Sequence, residues 1–220
     1  MKKISACIFF SLLMLFTGLS GYSQPDTTRY GGIRFSVDLA RGLGWLTKPK
    51  QPAYELIVDA EVKDGLFVVA EGGQASLTFE KYNYNLASQG VYGRIGFDKN
   101  FLKRAYNENE MIYGGFRISG GRFTQQANNI LIPGNYWDDM ITATEPEDIY
   151  AFWFEFTAGI RAELFRNFFI GWGFRTRMFL QTSDHQLNPY FIPGYGNTLK
   201  SVSMGFQYII AYRIPYKLKQ

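Results

Sequence analysis

Hydrophobic and polar residues alternate with a period of two along the stretch Tyr150–Leu164, YAFWFEFTAGIRAEL. One face carries Phe152, Phe154, Phe156, Ala158, Ile160, Ala162 and Leu164, and the other carries Trp153, Glu155, Thr157, Gly159, Arg161 and Glu163. Because successive side chains of a β-strand point to opposite sides of the sheet, the pattern predicts a strand with one apolar and one polar face. The stretch is long enough for a tilted strand to cross a bilayer, which takes about 9–11 residues.

The same alternation recurs along the chain and predicts an all-β protein. Eight segments show it: Tyr30–Leu39, Tyr54–Val62, Leu66–Phe79, Val91–Asp98, Met111–Phe123, Tyr150–Leu164, Phe168–Gln181 and Val202–Ile214. Tight turns at Lys63–Gly65 and Phe165–Asn167 and a connection of middling length at Lys99–Asn109 alternate with longer loops that include Glu80–Gln89, Thr124–Ile149 and Thr182–Lys200. Outer-membrane barrels combine an even number of strands with short periplasmic turns and longer external loops. The sequence therefore predicts an eight-stranded antiparallel up-and-down transmembrane β-barrel.

The charged residues of the strands indicate which face points inward. A soluble barrel such as a lipocalin would point its apolar face inward, and alternation alone is compatible with either orientation. The mid-strand cations are arginines, whereas the lysines fall in loops, turns, strand ends and tails. The planar guanidinium of arginine suits enclosed pairing with carboxylates, so we predict a polar lumen plugged by ion pairs. The predicted network contains Arg34, Asp38, Glu55, Asp59, Glu61, Glu71, Arg94, Asp98, Arg117, Glu155, Arg161, Glu163, Arg175, Arg177 and Arg213.

Aromatic residues make up 18% of the chain. Aromatic rings are enriched where membrane proteins cross the boundary between lipid and water. We therefore assign four aromatic residues to the predicted membrane interface: Trp153, Trp172, Tyr208 and Tyr212.

The N-terminus has the features of a secretory signal peptide. Lys2 and Lys3 precede an apolar run that is shorter than the roughly 20 residues a membrane helix needs, and small residues follow it. We predict a signal peptide over residues 1–23 and a barrel domain over residues 24–220, which leaves Cys7 in the leader. The chain has 23 Lys and Arg against 19 Asp and Glu, and the leader holds two of the lysines. This near balance gives no electrostatic support for nucleic-acid binding.

Five segments resemble a known family: YGGIRFSVDLAR (Tyr30–Arg41), MIYGGFR (Met111–Arg117), FEFTAGIRAELFRNFFIGWGFR (Phe154–Arg175), YFIPGYG (Tyr190–Gly196) and YIIAYRIPYK (Tyr208–Lys217). They are similar to an uncharacterised group of Bacteroidota outer-membrane barrels, the domain-of-unknown-function family DUF6048. The resemblance covers nearly all of the chain after the leader, and the Ile-Pro-Gly-Tyr segment is among its most specific parts. It implies an eight-stranded barrel in a Gram-negative outer membrane. It implies no activity, cofactor or catalytic residue.

Candidate chemistry in the predicted external loops is weak. The one histidine, His185, follows Ser183 and Asp184, but consecutive residues point apart and do not form a nucleophile–base relay. Acidic residues at 138–139 and 145–148 offer oxygen ligands for Ca²⁺, although they lack the spacing of a calcium loop and fit a hydrated loop tip better. Lys48, Lys50 and Lys81 fall near the expected level of lipopolysaccharide phosphates. We predict no catalytic, cofactor-binding or metal-binding residue.

These observations favour a non-enzymatic outer-membrane barrel that acts through its external loops. Its expected partners are outer-membrane lipid, lipopolysaccharide and an envelope protein. The sequence leaves two alternatives open, a lipid A-modifying enzyme and a narrow channel. An ion-pair plug fits eight strands better than a pore, because side chains alone fill a barrel of that size.

Overall fold

The computed structural model describes residues 30–43, 50–63, 65–81, 84–102, 110–132, 134 and 140–217. The predicted signal peptide, Lys48 and the acidic pair at 138–139 lie outside the described residues. The elements are β1 (Tyr30–Asp38), α1 (Leu39–Gly42), β2 (Ala53–Lys63), β3 (Leu66–Lys81), β4 (Tyr84–Asn100), β5 (Met111–Asn128), β6 (Ile130–Ile132), β7 (Met140–Thr142), β8 (Glu147–Phe165), β9 (Phe168–Thr182), β10 (Phe191–Ile192), β11 (Gly196–Asn197) and β12 (Val202–Lys217).

Eight of the strands close into a barrel in the order β1-β12-β9-β8-β5-β4-β3-β2. Every neighbouring pair is antiparallel, and β1 closes the ring by pairing with β12 from Tyr30–Lys217 to Asp38–Ile209. The predicted eight-stranded up-and-down barrel is confirmed. The remaining strands form two small hairpins, β6–β7 and β10–β11, within the long connections.

The connections give the barrel two different ends. At one end, which we call the turn end, lie the first residue of β1, the last residue of β12 and the short turns that join β2 to β3 and β8 to β9. At the other end, the loop end, lie the connections 39–52, 129–146 and 183–201, together with the short connection 82–83 between β3 and β4. Three long connections therefore share the loop end, as in outer-membrane barrels, whereas the ten-residue connection between β4 and β5, residues 101–110, lies at the turn end.

The outer face of the barrel strands is mainly apolar, and most of the charged side chains of the strands face the lumen. On β8, Phe152 is 47% exposed and Phe156 51%, whereas Glu155 between them is 0% exposed. Aromatic contacts continue across neighbouring strands on the outer face, for example between Phe116 and Phe156 with ring centroids 5.3 Å apart. This distribution is the reverse of a water-soluble protein and matches that of a transmembrane barrel. No described helix combines the length and the hydrophobicity that a membrane crossing demands.

The strands extend further at the loop end than the sequence pattern predicted. Residues 80–89, predicted to be a loop, belong mostly to β3 and β4, which pair up to Lys81 and Tyr84. The outward side chains here are polar, for example Thr78 and Gln89, while Leu77 and Leu86 point inward and are buried. The polar residues therefore mark where the hairpin leaves the apolar belt, not where strand pairing stops.

The prediction that Trp153 lies at the membrane interface is wrong. Trp153 is 0% exposed and points into the barrel, because it shares the inward parity of Glu155 on β8. The other three predicted interface aromatics, Trp172, Tyr208 and Tyr212, face outward and are each about half exposed. Their depth in a bilayer remains a prediction.

Candidate functional site: the charged lumen and the loop that closes it

Strand register sets opposite charges beside one another in the lumen. Arg34 of β1 pairs with Asp59 of β2, and Glu71 of β3 pairs with Arg94 of β4. Glu155 of β8 lies between Arg117 of β5 and Arg177 of β9. Directly opposed residues of antiparallel strands bring their side chains within reach on the same face. The local alternation of each strand and the barrel register together therefore build the network.

The centre of the lumen contains a cluster of two arginines and three glutamates, which we call the central cluster. Arg94 reaches Glu155 with its Nε at 2.6 Å, and its Nη1 lies 2.8 Å from Glu55 and 3.1 Å from Glu71. Arg175 reaches Glu71 at 2.8 Å, Glu55 at 3.0 Å and Glu155 at 3.4 Å. All five side chains are buried. Each carboxylate therefore meets both guanidinium groups, which is the pairing that a buried charge requires.

A chain of ion pairs extends from the central cluster towards the turn end. Arg117 contacts Glu71 of the central cluster with its Nε at 3.0 Å and reaches Asp98 with its Nη2 at 2.9 Å. Arg161 lies 3.9 Å from Asp98 and 2.7 Å from Asp59. Asp59 also accepts a hydrogen bond from Arg34 Nε at 2.6 Å. These five side chains are buried as well, and they share this half of the bore with a buried hydrophobic cluster that includes Ile57, Val69 and Ile209.

Three predicted members of the network lie at the turn end instead of the centre. Glu61 accepts a hydrogen bond from the Gly65 backbone N–H at 3.0 Å, and Glu163 accepts one from the Asn167 backbone N–H at 2.6 Å. Arg213 lies 3.9 Å from Glu163, and both side chains are about one-fifth exposed. These side chains stabilise the two short turns. The alternation along the strands predicted that they point inward but did not predict this role.

Two further residues bind the network on the side that faces the loop end. The sequence analysis did not assign either of them to it. Arg41, in α1, places its Nε 2.9 Å from Glu55, and Tyr92 of β4 donates its hydroxyl hydrogen bond to Glu55 at 2.8 Å. Asp38 accepts a hydrogen bond from the Ala40 backbone N–H at 2.9 Å and so begins the short helix that carries Arg41. Tyr92 lies two residues before Arg94 on the same face of β4, so the alternation could have predicted its inward position. Arg41 follows the end of β1, where strand parity gives no direction.

A segment of the long connection between β9 and β12 closes the lumen at the loop end. We call this segment, Ile192–Gly196, the plug loop, and its residues 192–195 are buried. The Gly194 carbonyl accepts hydrogen bonds from Arg94 Nη2 at 3.0 Å and Arg41 Nη2 at 3.4 Å. The Tyr195 carbonyl accepts one from Arg177 Nη1 at 3.3 Å. Arginines of the lumen therefore hold the loop by its backbone oxygens.

Aromatic contacts and one glycine fit the plug loop to the barrel wall. The Tyr195 ring meets Trp153 edge-on at 6.1 Å and Phe179 at 5.7 Å between centroids. Trp153 in turn donates its indole N–H to Glu155 at 2.6 Å, so it joins the loop to the central cluster. Gly194 has a φ of +84°, and a Cβ at this position would lie 2.5 Å from the Tyr92 ring. Only glycine satisfies both the backbone angle and the close approach.

The family model for a domain of unknown function (DUF6048) matches residues 1–219. The chain belongs to the DUF6048 family. This match confirms the family that was predicted from the sequence. The Ile-Pro-Gly-Tyr segment forms most of the plug loop in this DUF6048 protein.

Three solved barrels are similar to the DUF6048 chain at low sequence identity. Ail, the attachment invasion locus protein of Yersinia pestis, is 12% identical, with 86% of this chain and 100% of that chain covered, at a TM-score of 0.42. Neisserial surface protein A is 10% identical over 85% and 96% of the two chains, at a TM-score of 0.42. A major outer membrane protein from Thermus thermophilus is 12% identical over 86% and 100%, at a TM-score of 0.47. No curated protein sequence matches the chain.

The loop histidine of the DUF6048 barrel is held by hydrogen bonds that do not form a catalytic relay. His185 Nδ1 lies 2.8 Å from the Ser183 carbonyl oxygen, and Nε2 lies 2.9 Å from Asn188 Oδ1. The Ser183 hydroxyl instead accepts a hydrogen bond from the Tyr150 backbone N–H at 3.0 Å. A serine nucleophile needs its hydroxyl on the base, so this arrangement does not activate Ser183. Among the residues that the structure describes, no three His, Cys, Asp or Glu side chains are placed to hold a metal ion.

Proposed function

We propose that the protein is a non-enzymatic barrel of the Gram-negative outer membrane that binds an envelope partner or lipopolysaccharide through its loop end. The distribution of apolar side chains carries this proposal, because exposed Phe, Ile, Leu and Val surround all eight barrel strands. Such a continuous apolar surface is stable only against lipid. Charged and apolar side chains together occupy the lumen, which leaves the loop end, with its long connections, as the surface available to a partner.

The loop end offers two kinds of contact. The β6–β7 hairpin exposes Met140 by 60% and Ile141 by 70%, and such side chains suit an apolar protein contact. Arg122 lies on the outward face of β5 with its side chain 59% exposed, where it pairs with Asp148 and lies 5.7 Å from the Tyr150 ring. An exposed guanidinium beside an outward tyrosine is well placed for lipopolysaccharide phosphates if Tyr150 marks the outer interface.

Affinity purification from native envelopes with mass spectrometry tests the proposal. We expect a specific protein or lipopolysaccharide to copurify after mild detergent extraction, and Ile141→Asp to reduce recovery of a protein partner. Thr78→Asp, on the exposed outer face of the β3–β4 hairpin, is the matched control and should leave recovery unchanged. Recovery of the barrel alone from every extraction would contradict binding through the loop end.

Two further measurements separate this proposal from the alternatives. Mass spectrometry of lipid A from a deletion strain should show an unchanged acyl and phosphate pattern, whereas a changed pattern would indicate a lipid A-modifying enzyme. Planar bilayers containing the pure protein should show no steady conductance, because ion-paired and hydrophobic side chains occupy the lumen and the plug loop covers it. A stable conductance would indicate a channel.

A further inference from the structure

Arg177 of β9 is buried beside the central cluster but has no close carboxylate among the described residues. Its neighbours Arg41, Arg94 and Arg175 approach carboxylate oxygens to 2.9, 2.6 and 2.8 Å. The carboxylate oxygen nearest to Arg177 is Glu155 Oε1, at 3.7 Å from Nε. This oxygen already accepts a hydrogen bond from Arg94 at 2.6 Å. The network therefore compensates the charge of Arg177 only in part, which is costly for a buried cation.

One edge of the Arg177 guanidinium makes no hydrogen bond to a described residue. Nη1 donates to the Tyr195 carbonyl at 3.3 Å, whereas Nε is buried and has no acceptor. No described residue accepts a hydrogen bond from Nη2 either. Nε and Nη2 together form an edge with which arginine binds two oxygens of a carboxylate or phosphate. A buried donor without an acceptor is costly, so this edge favours an anionic ligand.

Positive charge dominates the surroundings of Arg177. Arg94 and Arg175 repel it, and the repulsion by Arg41 exceeds the attraction by Glu155. Arg41 Nη2 and Arg177 Nη1 contact the carbonyls of consecutive residues of the plug loop, at 3.4 and 3.3 Å. These two guanidinium groups therefore lie side by side. Because arginine stays protonated in proteins, both carry a full charge whatever the pH of the envelope.

This pair of arginines is partly accessible from the loop end. The Arg41 side chain is 18% exposed and the Arg177 side chain 9%, whereas Arg94 is 0% exposed. Gly205 of β12 faces the Arg177 guanidinium, and a Cβ at this glycine would lie 3.1 Å from Nη2. Ser203, two residues earlier, directs its hydroxyl to the same plug-loop carbonyl as Arg177, at 3.3 Å. Small residues therefore line the β12 side of the pair, and one of them supplies a further donor.

We infer that Arg41 and Arg177 form a site for a phosphate-type oxyanion between α1, the plug loop and β12. The Nε–Nη2 edge of Arg177 binds two oxygens of the anion, and Arg41 and the Ser203 hydroxyl donate to the others. A tetrahedral oxyanion matches donors that converge from several elements, and its charge compensates Arg177. The inference uses neither the β6–β7 hairpin nor the pair of Arg122 with Asp148, so its failure would leave the proposed function intact.

Thermal unfolding of the full protein in a non-ionic detergent tests the inference. Inorganic phosphate replaces chloride at constant ionic strength and pH, because a change in screening would itself alter the stability. We expect the melting temperature to rise with phosphate concentration along the curve of a single saturable site. A melting temperature that does not depend on phosphate would overturn the inference.

Substitution of Arg177 separates anion binding from a structural role. Arg177→Gln should weaken phosphate binding at least about tenfold, which corresponds to about 1.4 kcal/mol. In chloride it should melt at the wild-type temperature or higher, because it removes a cation that has no close carboxylate. Arg166→Gln, in the exposed turn between β8 and β9, is the matched control and should bind phosphate like the wild type.

A second variant keeps the test decisive if Arg177→Gln does not fold. Arg177→Lys retains the charge but lacks the two-pronged edge, so it should also bind phosphate more weakly than the wild type. A wild-type response to phosphate in either variant would show that the anion binds elsewhere and would overturn the inference.

A second ligand distinguishes two sources of phosphate. Glucosamine 1-phosphate, a soluble sugar phosphate, is titrated in the same way. Stabilisation at lower concentrations than inorganic phosphate requires would identify a phosphorylated saccharide, such as a lipopolysaccharide head group, as the ligand. Stabilisation by inorganic phosphate alone would identify the free ion.

Discussion

At the scale of single residues, Arg94 joins the central cluster to the plug loop. It is 3% exposed, bonds with three glutamates and holds the carbonyl of Gly194. The sequence predicted its inward position from the alternation of β4, and the same reasoning would have found Tyr92. The sequence analysis assigned Trp153 to the membrane interface because it is a large aromatic residue. Its position two residues before Glu155 on β8 in fact places the ring inside the barrel. Parity therefore outweighs residue type in this barrel.

Replacing Arg94 by leucine should destabilise the barrel by about 3–5 kcal/mol, because buried carboxylates would lose a partner. Urea unfolding in detergent micelles, followed by tryptophan fluorescence, measures the change. Arg122→Leu is the matched control, since Arg122 pairs with Asp148 on the exposed outer face and such pairs add little to stability. If the two variants unfold at the same urea concentration, the buried network does not stabilise the fold.

At the scale of elements, the sequence pattern predicted the strands at the loop end but not their full length or the position of the plug loop. Alternation located all eight barrel strands but began β4 too late, at Val91 instead of Tyr84, and ended β5 too early, at Phe123 instead of Asn128, because the outward residues beyond the belt are polar. The plug loop was recognisable only as a family motif. Its position depends on contacts between Gly194 and residues distant in sequence, Arg41 and Arg94, which no local pattern encodes.

Gly194→Ala should displace the plug loop, because alanine at a φ of +84° is strained and its Cβ would meet the Tyr92 ring. A non-glycine residue in this region costs about 1–3 kcal/mol. We expect faster proteolytic cleavage within residues 183–201 and an altered Trp153 emission. Gly72→Ala is the control, since a Cβ there meets no atom within 4 Å. Equal cleavage rates in the two variants would contradict a glycine requirement.

The connection that contains His185 should be more ordered at acidic pH. The hydrogen bond to the Ser183 carbonyl, with a smaller contribution from Asn188, raises the pKa of His185, and Glu147 and Asp184 are the nearby charged groups. Because the folded pKa is raised, this stabilisation is complete below the unfolded value of about 6.5 and is lost as the pH rises through the folded pKa. Hydrogen exchange of residues 183–190, corrected for intrinsic rates, should show protection that falls across this window. His185→Gln should remove the pH dependence, and an unchanged profile in that variant would contradict the assignment.

At the scale of the whole molecule, the barrel reverses the usual arrangement of a soluble protein. Its lumen holds an extended network of ion pairs together with two buried hydrophobic clusters, and its outer surface is apolar around the full circumference. The sequence predicted this arrangement from period-two alternation and from the placement of arginine and lysine. The inferred anion site lay beyond prediction, because Arg41, Arg177 and Ser203 come from three separate segments that meet only in the folded chain.

A spin-label scan along β8 in a lipid bilayer tests the central claim most directly. In a Cys7→Ser background, which has no other cysteine, single cysteines replace Phe154, Phe156 and Ile160 on the outer face and Thr157 on the inner face. The three outward labels should collide frequently with oxygen and rarely with a water-soluble nickel complex, while the label at position 157 should be shielded from both. Nickel collisions at the outward positions as frequent as at the exposed loop residue Leu199 would contradict a barrel whose apolar face meets lipid.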